Sequence, residues 1–268
     1  MPLSVSRHPL VADSLRGLRD KTTPPEEFRS LARKVITLLL YEATADLPTR
    51  RGTVQTPLAE APAIEVESEV VAIPVLRAGL GLLAPVLELL PRVSVGYIGL
   101  ERDEETAVAR IYYNKLPRLK GKIPLLLDPM LATGGSAAQA LDLIKEAGGR
   151  DTRMVCIVAA PEGVKVLEER HPEVDVYTAA LDERLNDKAY IVPGLGDFGD
   201  RLFGTATEPL RRLRRHLPMN GEEVFISRTS PRTPSRCTGA ARRRSCRLLT
   251  SAGIRASASC PRRCGSRC

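Results

Sequence analysis

Two kinds of apolar pattern alternate along this chain. Short, largely apolar runs recur at 70–75 (VVAIPV), 93–100 (VSVGYIGL), 123–127 (IPLLL), 152–161 (TRMVCIVAAP) and 174–180 (VDVYTAA). Runs of this length and composition predict strands buried on both faces of a parallel sheet. Between them the apolar residues fall at helical spacing: over 80–90, where Pro85 is tolerable only in the first turns; from Ala137 through Ala140 and Leu141 to Ile144; and in PEGVKVLEERHP, with Val164 and Leu167 inward. Upstream, Leu10, Val11, Leu15 and Leu18 share one side of a helix over 8–20, and Phe28, Leu31, Ala32, Val35, Leu38, Leu39 and Ala43 one side of a longer helix over 25–47. A polar, proline-bearing connection follows. The alternation predicts an α/β fold, with a parallel central sheet flanked by helices and preceded by N-terminal helices.

Composition changes this picture at one end only. The chain has 268 residues and a formal charge of +8, but residues 1–205 hold 25 Lys and Arg against 29 Asp and Glu, leaving 15 against 3 for residues 206–268. That C-terminal segment has no Lys and carries five of the six cysteines, Cys237, Cys246, Cys260, Cys264 and Cys268. Its Arg, Ser and Pro content with little apolar periodicity predicts a disordered extension of a 1–205 domain. An RNA-binding arm and a read-through or frameshifted extension both fit it; such a segment binds nucleic acid non-specifically whatever its origin. The body has only Cys156, inside a strand-like run, which reads as a small buried hydrophobe in a cytosolic protein. With no apolar run of membrane-spanning length and no signal-peptide pattern, the expectation is a soluble cytoplasmic protein.

The most informative stretch is IPLLLDPMLATGGSAAQ, 123–139. A strand ends at an acid, Asp128; small residues Ala132, Thr133, Gly134, Gly135 and Ser136 follow, and then a helix. Such a unit turns backbone N–H groups and the positive end of a helix dipole into one concavity, a cradle for phosphate. The acid lies about one sugar's width away, so a ribose 5-phosphate fits. No Gly-Lys-Ser/Thr follows, so this is not an ATP-hydrolysing loop.

Arg77 and Arg102 each follow a predicted strand, as Asp128 does. Ligands of an open parallel sheet lie beyond the C-terminal strand ends, so all three residues face one crevice. Gly79, Gly81 and Ala84 also spell G-x-G-x-x-A after a strand, with Glu101 at the distance of a ribose-binding acid, which leaves a nicotinamide-dependent dehydrogenase as an alternative. A second glycine cluster, Gly194, Gly196 and Gly199, has no long helix after it and reads as backbone bent around a flat ligand. The charged run Asp103 to Arg110 reads as a mobile loop or hairpin tip. His171 reads as a helix C-terminal cap, and no His, Cys or carboxylate array has chelating spacing.

These segments resemble the uracil phosphoribosyltransferases. DPMLATGGS (128–136) is similar to the family's loop for phosphoribosyl diphosphate (PRPP), PVLRAG (74–79) to the loop whose arginine meets the diphosphate, and YIVPGLGDFGD (190–200) to the family's YIVPGLGDAGD. HPLV, YEAT and DLP near the start, and FGT at 203–205, extend the resemblance over about residues 7–205. It implies transfer of phosphoribose to uracil, giving UMP and diphosphate, with Arg77, Arg102, Asp128 and Asp197 catalytic. PRPP would be bound by these together with Pro129, Met130, Leu131, Ala132, Thr133, Gly134, Gly135 and Ser136. Uracil would be bound by Ile191, Gly196, Asp197 and Phe198, largely through main-chain groups, which can match its acceptor, donor, acceptor edge. The resemblance also implies Mg²⁺ accompanying PRPP, GTP activation in some members and a flexible hood at 103–110, while the packing helices at the N-terminus predict a homo-oligomer. Phe198 departs from the family's usual Ala, and its direction decides whether base selectivity is affected. A uracil- or UMP-sensing RNA-binding regulator on the same fold is the remaining alternative.

Overall fold

The computed structural model describes residues 1–102 and 109–205. In chain order these form β1 (Leu3–Val5), α1 (Pro9–Arg19), α2 (Pro25–Ala43), β2 (Thr49–Gln55), β3 (Glu60–Val66), β4 (Val70–Leu76) and α3 (Leu80–Leu89). Then come β5 (Ser94–Val95), β6 (Tyr97–Arg102), β7 (Ala109–Lys115), β8 (Ile123–Leu127), β9 (Met130–Leu131), α4 (Gly135–Glu146) and β10 (Arg153–Ala159). The last elements are α5 (Pro161–Arg170), β11 (Asp175–Leu181), β12 (Arg184–Leu185), β13 (Ile191–Val192) and α6 (Phe198–Phe203).

The central sheet runs in the order β1-β11-β10-β8-β4-β6-β7, with β5 added beside β4 and β9 beside β10. Its neighbours pair in parallel except β6 with β7. The period-2 alternation of each strand feeds two cores. Ala72, Leu125, Leu127, Val155 and Ile157 face the layer of α1, α2, α3 and α6, while Val71, Ile73, Leu126, Met154 and Cys156 face α4 and α5. Both faces are therefore dry, which is why these strands read as continuous apolar runs. Cys156 is fully buried, and that burial pushes its thiol up to about 12.

Several boundaries differ from the sequence pattern. Helix α2 stops at Ala43, where Arg153 donates to the Ala43 carbonyl and pairs with Asp46 at 2.6 Å, a cation at the negative end of a helix. The connection after it is not irregular: β2 and β3 form an antiparallel hairpin, Thr49 opposite Val66. All of β2 is exposed, so the hairpin never carried the apolar signal of a buried strand. The run 93–100 is broken at Gly96 into β5 and β6. Pro85 sits in the second turn of α3, within the first turns that tolerate it. His8 caps α1, its Nδ1 accepting from the Leu10 amide at 3.1 Å. Of the stretch 103–110 read as a loop, Ala109 and Arg110 belong to β7, while residues 103–108, the side chain of Arg102 and residues 206–268 lie outside the described residues.

The loop before β13 is wound on Asn186, whose Oδ1 accepts from the amides of Lys188 and Tyr190, both at 3.0 Å. That winding holds Ala189 at φ 60°, a left-handed conformation an alanine adopts at a cost of about 1–2 kcal/mol. Ala189→Gly is expected to raise stability by about 1 kcal/mol, after the larger entropy that glycine loses, or about 2–4 °C in the thermal midpoint. Scanning calorimetry of the two proteins checks it.

Candidate active site

Strands β8, β4 and β6 are adjacent, in register with Pro74 beside Leu127 and Leu76 beside Gly99. Asp128 follows β8, Arg77 follows β4 and Arg102 ends β6, so three neighbouring strands deliver these residues to the same edge of the sheet. The Leu76–Arg77 peptide is cis, and the Arg77 side chain is exposed with no hydrogen-bond or acidic partner among the described residues. The chain then turns so tightly that a Cβ on Gly79 would lie 2.4 Å from the Leu127 carbonyl oxygen and 2.6 Å from Val75 O. Gly79 is thus required by backbone packing between the ends of β4 and β8.

After Asp128 the chain is fastened to β10. The Pro129 carbonyl accepts from Ile157 at 2.9 Å and Val158 at 3.2 Å, Leu131 O accepts from Ala160 at 2.8 Å, and β9 pairs with β10. Beyond this anchor Gly134 takes φ 79° as the cap residue of α4, with no side-chain cap. Among the described hydrogen bonds none uses the N–H groups of Thr133, Gly134, Gly135 or Ser136. Four amides at the positive end of a twelve-residue helix are left without an acceptor among the described residues. Asp128 is surrounded by protein on most sides but keeps an opening to solvent; burial pushes its carboxyl from 3.8 up to about 6, opposed by a weak bond from the Met130 amide at 3.4 Å.

The base-loop segment lies beside this cradle. Met130 and Ala132 line a cavity of roughly 520 Å³ with Lys188, Tyr190, Ile191 and Gly196. Gly194 at φ 60° and Gly196 at φ 79° bend the backbone, and a Cβ on Gly194 would strike the Ile191 carbonyl at 2.2 Å. Asp197 is exposed and caps α6, Oδ1 accepting from the Asp200 amide at 2.8 Å, while its second oxygen has no partner among the described residues. A Cβ on Gly199 would sit 3.9 Å from that of Ala78, so α6 begins next to the turn after β4. Phe198 is fully buried and packs on Phe28, ring centroids 5.4 Å apart, away from the cavity.

The dinucleotide pattern at 79–84 is accounted for by packing. Gly79 meets strand backbone, and Gly81 makes room for α6, with Leu202 at 2.4 Å and Phe198 at 3.2 Å from its missing Cβ. Neither glycine is left for a pyrophosphate. Two groups around the site carried no motif in the sequence. A Cβ on Gly163, in the first turn of α5, would lie 2.5 Å from the Ala132 carbonyl, so this glycine lets the cradle loop rest on the helix; a glycine inside a helical pattern was its only signal. Asp182, 7% exposed, accepts from the Gly194 amide at 2.9 Å and from Arg19, and nothing local marks either residue. His171 is a C-cap as expected; it is buried, with Nε2 3.1 Å from the Ala138 carbonyl. Among the described residues there is no cluster of three or more His, Cys, Asp or Glu placed to hold a metal, and no helix is long and apolar enough to cross a membrane.

A solved structure, the AQ2163 protein from Aquifex aeolicus, is similar with a TM-score of 0.73 and 40% identity, covering 77% of this chain and all of that one. Uracil phosphoribosyltransferases of Symbiobacterium thermophilum and Dictyoglomus thermophilum are 54% and 52% identical over 200 residues, 74% of this chain and 96% and 97% of theirs. The family model described as uracil phosphoribosyltransferase matches residues 5–205. This chain belongs to the uracil phosphoribosyltransferase family.

The burial of Asp128 gives a signed stability effect. A carboxyl whose folded pKa is about 6, against 3.8 unfolded, makes ionisation cost stability progressively between those values and fully above them. Asp128→Asn is therefore expected to be more stable than the parent above pH 6, by at most about 3 kcal/mol, the difference vanishing below about pH 4. Urea unfolding at the two extremes measures it. Phe198→Ala is expected to cost about 3–5 kcal/mol in the same assay, as loss of a large core side chain does. It should leave the preference for uracil over cytosine unchanged, because the ring does not face the cavity; altered preference in steady-state kinetics would contradict that geometry.

Proposed function

We propose that the chain catalyses transfer of the 5-phosphoribosyl group from PRPP to uracil, giving UMP and diphosphate, and that the crevice above β8, β4 and β6 is where it does so. The observation that carries this reading is the set of amides at Thr133 to Ser136 without partners among the described residues, close to the Asp128 carboxyl and to a cavity with room for a nucleobase. The amides hold the 5-phosphate. Asp128, with Pro129, Met130 and Leu131 fastened behind it, accepts from the ribose hydroxyls. Arg77 and Arg102 draw negative charge from the leaving diphosphate as the C1–oxygen bond breaks, and N1 of uracil bonds to C1 with loss of its proton. Holding the phosphate far from C1 uses remote binding energy to align the reacting atoms. Main-chain groups of Ile191, Gly196 and Phe198 read the base edge.

The residues present suit a metal that arrives on its substrate. A hard cation such as Mg²⁺ prefers oxygen ligands and retains waters, and Asp128 and the second oxygen of Asp197 are the carboxylates near the crevice; the metal supplies charge neutralisation for the diphosphate. The catalytic domain is taken as residues 1–205, with 206–268 an extension outside the chemistry. Self-association is part of this reading. The apolar faces of α1 and α2 are spent inside the subunit, whereas the β2–β3 hairpin exposes Leu58 at 96% and Ile64 at 73%, a surface another copy would cover.

The test supplies PRPP and Mg²⁺ with uracil, cytosine, orotate, hypoxanthine or xanthine in turn and follows diphosphate. Release with uracil alone, by the full chain and by residues 1–205, is the expected result. Release with another base, or none with any, overturns the proposal, and uridine-nucleotide-dependent RNA binding without turnover would favour the regulator instead. Asp128→Asn is expected to lower uracil turnover by about tenfold or more while remaining folded.

A further inference from the structure

Two arginines sit behind the base loop and bind consecutive carbonyls. Arg19, at the end of α1, forks onto Asp182 (2.9 Å to Oδ2, 2.5 Å to Oδ1) and donates to Gly194 O at 2.8 Å; Asp182 Oδ2 in turn accepts from the Gly194 amide at 2.9 Å. Arg201, on α6, donates to Leu195 O at 2.7 Å and to the carbonyls of Leu18 and Asp20 at the end of α1, and its guanidinium lies 4.3 Å from the Phe28 ring centroid. Each planar group is therefore fixed by several acceptors, and that of Arg201 by a ring face as well, a geometry that an ammonium cannot copy.

A trans peptide points its C=O and the following N–H in opposite directions. The peptides after Gly194 and Leu195 are trans. Holding Gly194 O toward Arg19 turns the Leu195 N–H the other way; holding Leu195 O toward Arg201 does the same for the Gly196 N–H. Neither N–H has an acceptor among the described residues. Leu195 and Gly196 line the cavity, and neither Arg19 nor Arg201 does, so the arginines stand on the carbonyl side of the loop and the cavity on the amide side.

We infer that Arg19 and Arg201 are positioning residues for base recognition: by pinning the Gly194 and Leu195 carbonyls they aim the Leu195 and Gly196 amides at a carbonyl oxygen of the pyrimidine. This rests on the uracil reading above. The arginines touch no substrate; they act through two peptide planes, and the end of α1 becomes part of the specificity device although it lines no pocket.

The experiment measures kcat and KM for uracil and for PRPP, with thermal midpoints, in the full chain and in Arg201→Met, Arg201→Lys, Arg19→Met and Asp182→Asn. A control, Ile36→Ala, destabilises the α2 core away from the loop. Loss of an aimed amide is expected to raise the uracil KM about tenfold in Arg201→Met and in Arg19→Met, with kcat and the PRPP KM nearly unchanged. Arg201→Lys should recover part of the uracil KM, since one donor still reaches Leu195 O, and Asp182→Asn, which loses the charge but keeps an acceptor for Gly194, should fall between. An unchanged uracil KM in these variants, equal rises in both KM values, or a uracil KM that Ile36→Ala raises as much at matched midpoint, overturns the inference while leaving the proposed function standing. If Arg201→Met does not fold, the same split is read in Arg201→Lys and Asp182→Asn. Absence of uracil turnover in the parent chain would instead overturn the proposed function, and this inference with it.

Discussion

A backbone N–H without a protein acceptor must find water or a ligand, and this chain keeps two groups of such amides. Thr133 to Ser136 stand at the uncapped start of α4, and Leu195 and Gly196 in the loop before α6. Folding does not remove them; it aims them. Everything rigid in the neighbourhood serves that purpose. Pro129 and Leu131 are stapled to β10, Gly163 lets α5 support the cradle from below, and Gly134 and Gly194 adopt left-handed conformations that a side chain would resist.

The two-faced burial of the sheet is what makes that rigidity available. Because β4, β8 and β10 are dry on both sides, their ends cannot shift without moving two cores at once, and the residues following them inherit fixed positions. The same burial has an electrostatic consequence at Asp128. A carboxyl raised to about 6 is held in a state less stable than its uncharged amide counterpart, and the strain is relieved when hydroxyls or a cation meet it. Stability and ligand recognition thus oppose each other at one residue, as is common where a site is preorganised.

The sequence made the buried strands, the helices between them and the acid at the end of β8 legible, because each rests on a local pattern: a continuous apolar run, a 3.6-residue period, a strand–glycine–helix turn. What it did not reveal is long-range or exposed. The β2–β3 hairpin has no buried face and hence no apolar alternation to find. Strand β7 lies at the sheet edge with Ile111, Tyr112 and Tyr113 exposed, inside a stretch whose charges dominated the reading. Asp182 is 163 residues from Arg19, and Gly163 meets the loop at Ala132, far upstream in the chain; neither contact has a sequence period.

Phe198 shows where motif and packing must be read together. At that position the resemblance alone leaves two directions for the ring, toward the base or away from it, with opposite consequences for selectivity. The neighbouring glycine settles the matter physically. Gly81 has no Cβ, and the space it vacates on α3 is filled by Leu202 and Phe198, while Phe28 of α2 packs against the same ring at a tilt. A G-x-G spacing that imitates a nucleotide fingerprint is therefore the counterpart of a bulky residue one helix away. The large side chain is stored in the core, so the loop next to it keeps its backbone for the ligand.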